Sequence, residues 1–222
     1  MGDETARLRD GKLIVSTTTG PLLQLIAGGI KLWIRSRCDS IGELQLELHG
    51  SGLGLLRGHL RGAVLMARDV SFQGLPLQHA DLRSGPIQVD VKLLQPGRML
   101  SLQQPFVLQG EVTMTGRGLN QALLKEPWRW LGDWLAEQLM GLTPLGRLHI
   151  DNDVLELQAP VVAHKDLARR RFRLCADQGT LLIRPLDRDQ QTLLPMDPTI
   201  QIEQAELCGG LLHLKGKADV TP

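Results

Sequence analysis

The sequence predicts an α+β fold: a long curved antiparallel sheet wrapped around an apolar N-terminal helix, with a second, Trp-rich helical segment. Three features carry this expectation. A stretch near the N-terminus is apolar around most of a helical circumference. Runs of alternating apolar and polar residues follow it. One Trp- and Leu-rich segment interrupts those runs, so the order is helix, strands, helix, strands. No βαβ alternation is present, so a parallel sheet is not expected.

The first helix is expected from Pro21 to about Arg37. Thr17–Thr19 offer capping hydroxyls and Pro21 suits a first turn. At 100° per residue, Leu22, Ile26, Ile30 and Trp33 form one stripe, widened by Leu23, Leu25, Leu32 and Ile34. Gln24, Lys31 and Arg35 occupy a narrow opposite face. A helix this apolar has to be covered, by a sheet or by a membrane surface.

Strand patterning takes over at Leu44, Leu46 and Leu48, which alternate with Glu43, Gln45 and Glu47. Gly50–Gly58 is expected as a turn region. Val64, Met66, Val70 and Phe72 share one parity, interrupted by Arg68. Ile87, Val89, Val91 and Leu93 form the cleanest alternation, and Phe106, Leu108, Val112 and Met114 continue it. Gly- and Pro-rich turns between the runs fit antiparallel meanders. The second helical segment spans about Gly118 to Met140 and is divided at Pro127, which would break a continuous helix. Trp128, Leu131, Trp134, Leu135 and Leu139 share its apolar face, and Trp130 points away from it. Further strands are expected over Leu148–Leu157, Phe172–Arg184, Thr199–Leu207 and Leu211–Val220, with an exposed loop over Leu186–Pro198.

Composition narrows the function. The 222 residues suffice for one large domain with a core that needs neither disulfide nor metal. We expect a single domain over 1–222, with 1–14 flexible or an edge strand. A net charge of +1, no Tyr and only three Phe leave neither the electrostatic pull nor the stacking platform of a nucleic-acid binder. Cys38, Cys175 and Cys208 are widely spaced and odd in number, which points to a reducing compartment. Arg7, Arg9 and Lys12 precede an apolar stretch, but Ser16–Thr19 break it and no clean small-x-small cleavage site follows. The expected location is therefore cytoplasmic or peripheral on a membrane, rather than exported. No apolar run reaches the ~18–20 residues of a membrane span.

No enzyme is expected. Nucleophile elbow, P-loop, dinucleotide fingerprint and zinc-protease helix are all missing. His149, Asp151 and Asp153 alternate as metal ligands on a strand would, but an Asp-Asn-Asp run more commonly makes a hairpin turn. No metal and no cofactor are expected. Lys165, Arg169, Arg170, Arg171 and Arg173 form the densest charge cluster. It fits either an anionic headgroup held by guanidinium groups or a solvated strand edge protected from aggregation. Trp130 fits a membrane contact, where an indole keeps its N–H wet and its ring dry.

Three stretches resemble the LmeA-like phospholipid-binding proteins, a bacterial domain family once without a known function. Gly20-Pro21-Leu22-Leu23 opens the first helix. Gly58-His59-Leu60-Arg61-Gly62 is followed by Val70-Ser71-Phe72-Gln73-Gly74-Leu75. Gln104-Pro105-Phe106 leads through Val112-Thr113-Met114-Thr115 into Gly118-Leu119-Asn120-Gln121-Ala122-Leu123, similar to the family's strand followed by a Leu-Asn helix start. The resemblance covers most of 15–220. It implies phospholipid as the partner, a fold similar in outline to tubular lipid-binding folds, a peripheral membrane role and no catalytic residues. The expected apolar groove takes Leu22, Leu25, Ile26, Ile30 and Trp33 from the helix. It takes Val64, Met66 and Phe72 from the strands, and Trp128, Leu131 and Trp134 from the second helical segment. Trp130, Arg169, Arg170 and Arg171 are the expected headgroup or membrane contacts. The competing expectation is a solidly packed interaction domain without ligand. Sequence alone does not fix the oligomeric state.

Overall fold

In a computed structural model, residues 20–88, 103–161 and 166–221 are described. Helix α1 spans Pro21–Arg37, with the proline in its first turn as expected. Strand β1 (Ser40–His49) follows, then a short helix α2 (Gly52–Leu56) inside the stretch expected to be a turn. Ser51 makes this extra turn of helix possible, because its Oγ accepts the Gly54 N–H at 3.0 Å. Next come β2 (His59–Leu60), β3 (Gly62–Phe72), β4 (Leu75–Ser84) and β5 (Ile87–Gln88). The remainder of the alternating run beginning at Ile87 lies outside the described residues. After β6 (Phe106–Thr115) the helical segment divides into α3 (Gly116–Leu123) and α4 (Arg129–Met140), on either side of Pro127. The chain ends in β7 (Arg147–Asp151), β8 (Val154–Pro160), β9 (Leu167–Asp177), β10 (Thr180–Pro185), β11 (Thr192–Leu193), β12 (Ile200–Cys208) and β13 (Leu211–Val220).

The strands form antiparallel sheets. The large one has six strands in the order β1-β3-β4-β6-β13-β12. A five-stranded sheet runs β11-β10-β9-β8-β7, and β2 pairs with β5. Tight turns set the registers. Gln73 and Gly74, between β3 and β4, both have positive φ (50° and 77°). This is the two-residue geometry that matches strand twist, and glycine adopts it without strain. The Asp151–Asp153 run is likewise a hairpin turn, with Asn152 at φ 52°.

The six-stranded sheet is two-faced. Register places Leu46, Leu65, Leu82, Gly110, Gly216 and Ile202 in one row across all six strands. The adjacent row on that face reads Leu44, Ala67, Ala80, Val112, Leu214 and Ala205. The opposite face is polar, with Gln45, Met66, Asp81, Glu111, Lys215 and Gln204 in one row. Cross-strand pairs Arg68–Glu43 (3.7 Å) and Lys215–Glu111 (3.9 Å) lie there, and Thr113 Oγ1 meets His213 Nδ1 at 3.2 Å.

Two separate hydrophobic cores cover the ends of the apolar face. Near β1, Leu23, Ile26 and Ala27 of α1 pack with Leu46, Leu48, Leu55 and Leu60. At the other end, Met114, Leu207 and Leu212 join α3, α4 and the five-stranded sheet around Phe172, Leu157 and Ala136, which are wholly buried. Asn120 ties these layers together, since its Oδ1 accepts the Leu148 N–H at 2.7 Å.

Helix α1 is covered less completely than its composition led us to expect. Its buried side is Leu23, Ile26 and Ala27, with Ile30 and Ile34 half-buried. Leu25 and Leu32 remain 74% and 71% exposed. Among the described residues the helix rests chiefly against β1 and α2.

Candidate functional site

The part of the apolar face lying between the two cores is the most distinctive surface of the molecule. Leu82, Leu108, Val112, Ile202 and Ala218 are half-buried and belong to neither core. The row through this stretch carries two facing glycines, Gly110 and Gly216. A Cβ on Gly110 would collide with the carbonyl oxygen of Asp81, and one on Gly216 with that of Gln201. Beside them the β12–β13 register shifts between Ile202 and Gln204. Glycine kinks and bulges are how a sheet is bent. The stretch therefore combines a continuous apolar surface with the sequence features of a bend.

The expected groove residues distribute differently. The side chain of Leu22 is not among those described. Ile26 and Ile30 face the first core, whereas Leu25 and Trp33 (50% exposed) face outward. Val64 and Met66 lie on the polar face, opposite the apolar one, because Leu46 pairs with Leu65. Phe72 ends β3 and is 42% exposed. Leu131 and Trp134 pack against the second core, as does Trp128, whose Nε1–H donates to the Gln73 carbonyl at 2.8 Å. These three are structural. Trp130 is 56% exposed, on the outer side of α4 as its position off the apolar stripe implied.

The arginine triplet lies along β9, where successive side chains alternate sides. Arg170 is largely buried, and its Nη1 donates to the Leu139 carbonyl at 2.7 Å. It thereby satisfies one of the unpaired carbonyls at the end of α4. Its Nη2 also lies 3.4 Å from Asp187. Arg171 Nε lies 3.3 Å from Glu156. The Gln158 amide donates to Glu156 at 2.9 Å. That hydrogen bond first, then Arg171 and Arg169, hold the Glu156 carboxyl below its ordinary value, against the opposing effect of burial. All three arginines line an open depression of about 410 Å³ with Glu156, Leu186 and Asp187. Two carboxylates thus offset most of their charge, and the solvated, internally paired role fits better than a dedicated anion site. Among the described residues no group of His, Cys, Asp and Glu has the arrangement of a metal site.

Sequence reasoning missed Leu82, Leu108, Val112, Ile202 and Ala218 as site residues, placing Leu108 and Val112 only in a strand. The available signal was Gly110 and Gly216, each at an apolar-parity position inside a strand, where glycine marks a bend or close backbone approach.

Comparison with known families decides what this fold belongs to. The profile of the LmeA-like phospholipid-binding family matches residues 17–216. The chain belongs to that family. An LmeA-like chain is described by the binding of phospholipid rather than by catalysis. No curated protein and no solved structure matches. Within this family member, the helix, the Gln73–Gly74 hairpin and the Thr115-to-Asn120 helix start all have structural roles. Thr115 Oγ1 caps α3 by accepting the Gly118 N–H at 2.9 Å.

Proposed function

We propose that the protein holds the acyl chains of a phospholipid against the half-buried apolar stretch of its large sheet between the two cores, and carries or presents that lipid at a membrane surface without altering it chemically. The supporting observation is an apolar sheet face that continues beyond both cores through Leu82, Leu108, Val112 and Ile202. Apolar side chains left half-open to water are costly at about 25 cal/mol per Å². A lipid chain would remove that cost, contributing about 0.8 kcal/mol per methylene, so about ten methylenes outweigh several kcal/mol of ordering. Family membership supports phospholipid as the ligand class.

The test is extraction of natively purified protein with organic solvent, followed by mass spectrometry. We expect phospholipid in stoichiometric amount, and at least a severalfold lower yield from a folded Leu108→Gln/Ile202→Gln variant. A lipid-free extract of the unaltered protein would overturn the proposal and favour a packed interaction domain.

A further inference from the structure

Among the described residues, five of the twelve exposed large apolar side chains lie together on two helices at one end of the molecule. Leu25, Leu32 and Trp33 of α1 and Leu53 and Leu56 of α2 are 50–74% exposed. All five lie on the two helices that cover the β1 end of the apolar face. The two helices are in contact, with Leu55 of α2 buried in the same core as Leu23 and Ile26. Leu25 and Leu32 are seven residues apart and project from one side of α1, about opposite its buried side.

Charge is segregated in the same place. Between Gly20 and Cys38 there is no acidic residue, but there are Lys31, Arg35 and Arg37. Between Gly50 and Arg68 there is again no acidic residue, but there are Arg57, Arg61 and Arg68 itself. Arg68 is paired with Glu43 on the polar face and does not count toward this end. That leaves five cations on and beside the two helices, in a chain whose net charge is only +1. The Arg37 guanidinium lies 5.7 Å from the centroid of the Trp33 ring, an apolar ring and a cation presented together.

We infer that α1 and α2 form the surface by which the protein docks onto an anionic lipid bilayer, with Leu25, Leu32, Leu53 and Leu56 entering the interface and the surrounding cations lying among acidic headgroups. Outward leucines rimmed by Lys and Arg, with the first acidic residues (Asp39 and Asp69) just beyond the two segments, resemble the composition of an interfacial helix. Each cation close to an acidic leaflet adds to the attraction. A second copy of this chain is the poorer occupant, because a two-fold contact would bring five like charges against five. The inference rests on the lipid-binding proposal for its purpose: the row from Leu46 and Leu65 under the helices runs directly to Leu82 at the start of the open stretch. Docking by this end would set that stretch next to the bilayer.

The experiment is co-sedimentation of the full chain with vesicles of phosphatidylcholine alone and of phosphatidylcholine mixed equally with phosphatidylglycerol, with co-purified lipid measured on the same samples. We expect binding to the mixed vesicles that weakens in high salt. Leu25→Asp/Leu32→Asp should lower it about tenfold or more, and Arg35→Gln/Arg57→Gln should do so independently. Both variants should retain native circular dichroism, and both should retain co-purified lipid. Equal binding to the two vesicle types, or variants that bind like the parent, would overturn the inference. So would a parent that ignores vesicles but is dimeric in ultracentrifugation and becomes monomeric in Leu25→Asp/Leu32→Asp. Loss of co-purified lipid in the Leu108→Gln/Ile202→Gln variant, with vesicle binding intact, supports docking and groove as separate surfaces. A parent that binds vesicles but carries no lipid sinks the groove and leaves the docking surface standing.

Discussion

Glu156 shows how much a single charged residue can depend on its neighbours. Its side chain is mostly covered, yet it stays ionised because Gln158 and Arg171 both donate to it. A carboxyl held below its ordinary value stabilises the fold above the unfolded-state value, and the contribution is lost as pH falls through the folded-state value. Glu156→Gln should therefore lower stability by about 1 kcal/mol at neutral pH. Urea titrations should show the difference shrinking as pH drops below about 4. A difference that persists unchanged in acid would assign the loss to packing instead. Gly216 offers a steric counterpart. Its missing Cβ is what allows the Gln201 carbonyl to approach. Gly216→Ala should cost about 1–3 kcal/mol by forcing the strands apart, a loss readable in thermal or urea unfolding.

For single elements, the informative case is α1. The sequence announces a helix with apolar residues nearly all round, and the helix forms with the expected bounds. Which side is covered is a matter of what it meets, and the answer is Leu23, Ile26 and Ala27. Leu23→Ala should cost about 2–4 kcal/mol in urea unfolding, whereas Leu25→Ala should cost less than about 0.5 kcal/mol. Equal losses would mean that the outer side is covered too. Strand β3 teaches the same lesson. Residues 63–67 are apolar at every position, so period-2 reading has no polar marker to separate Val64 and Met66 from Leu65. Pairing with β1 decides, because Leu46 and Leu48 alternate cleanly with Glu47 and carry Leu65 and Ala63 to their side. Most elements were thus legible from local patterning, down to the break at Pro127, but β4 was missed, because its apolar residues shift parity between Leu77 and Ala80. The proposed lipid surface was not, since Leu82, Leu108 and Ile202 share a face only once the register is fixed. The arginine triplet misled for a related reason: neighbours in sequence are on alternate sides of a strand, and Arg170 is occupied with the end of α4.

At the scale of the whole molecule, one sheet spans two cores of unequal size. Among the described residues, seven buried ones make up the core at the β1 end and fourteen make up the other. Among the described residues the smaller core is built from residues 23–60, with partly buried neighbours up to Ile87, while the larger draws on residues 114–212. Between them, among the described residues, lies the half-buried apolar stretch proposed above as the lipid surface.

That segregation along the chain has a kinetic consequence. A patch sealed by few, sequence-local contacts opens with less free energy than the global unfolding reaction, and it opens as a unit. Helix α1, α2 and β1 should form such a unit. In native-state hydrogen exchange, the amides of β1 facing α1 should become unprotected at lower denaturant than those of β8 and β9, with the opening free energies separated by several kcal/mol. Coincident exchange across both regions would mean that the two cores melt together. If the unit opens alone, the sheet face beneath α1 would be bared periodically, and that opening would set a pace for exchange of any ligand held on the neighbouring proposed lipid surface.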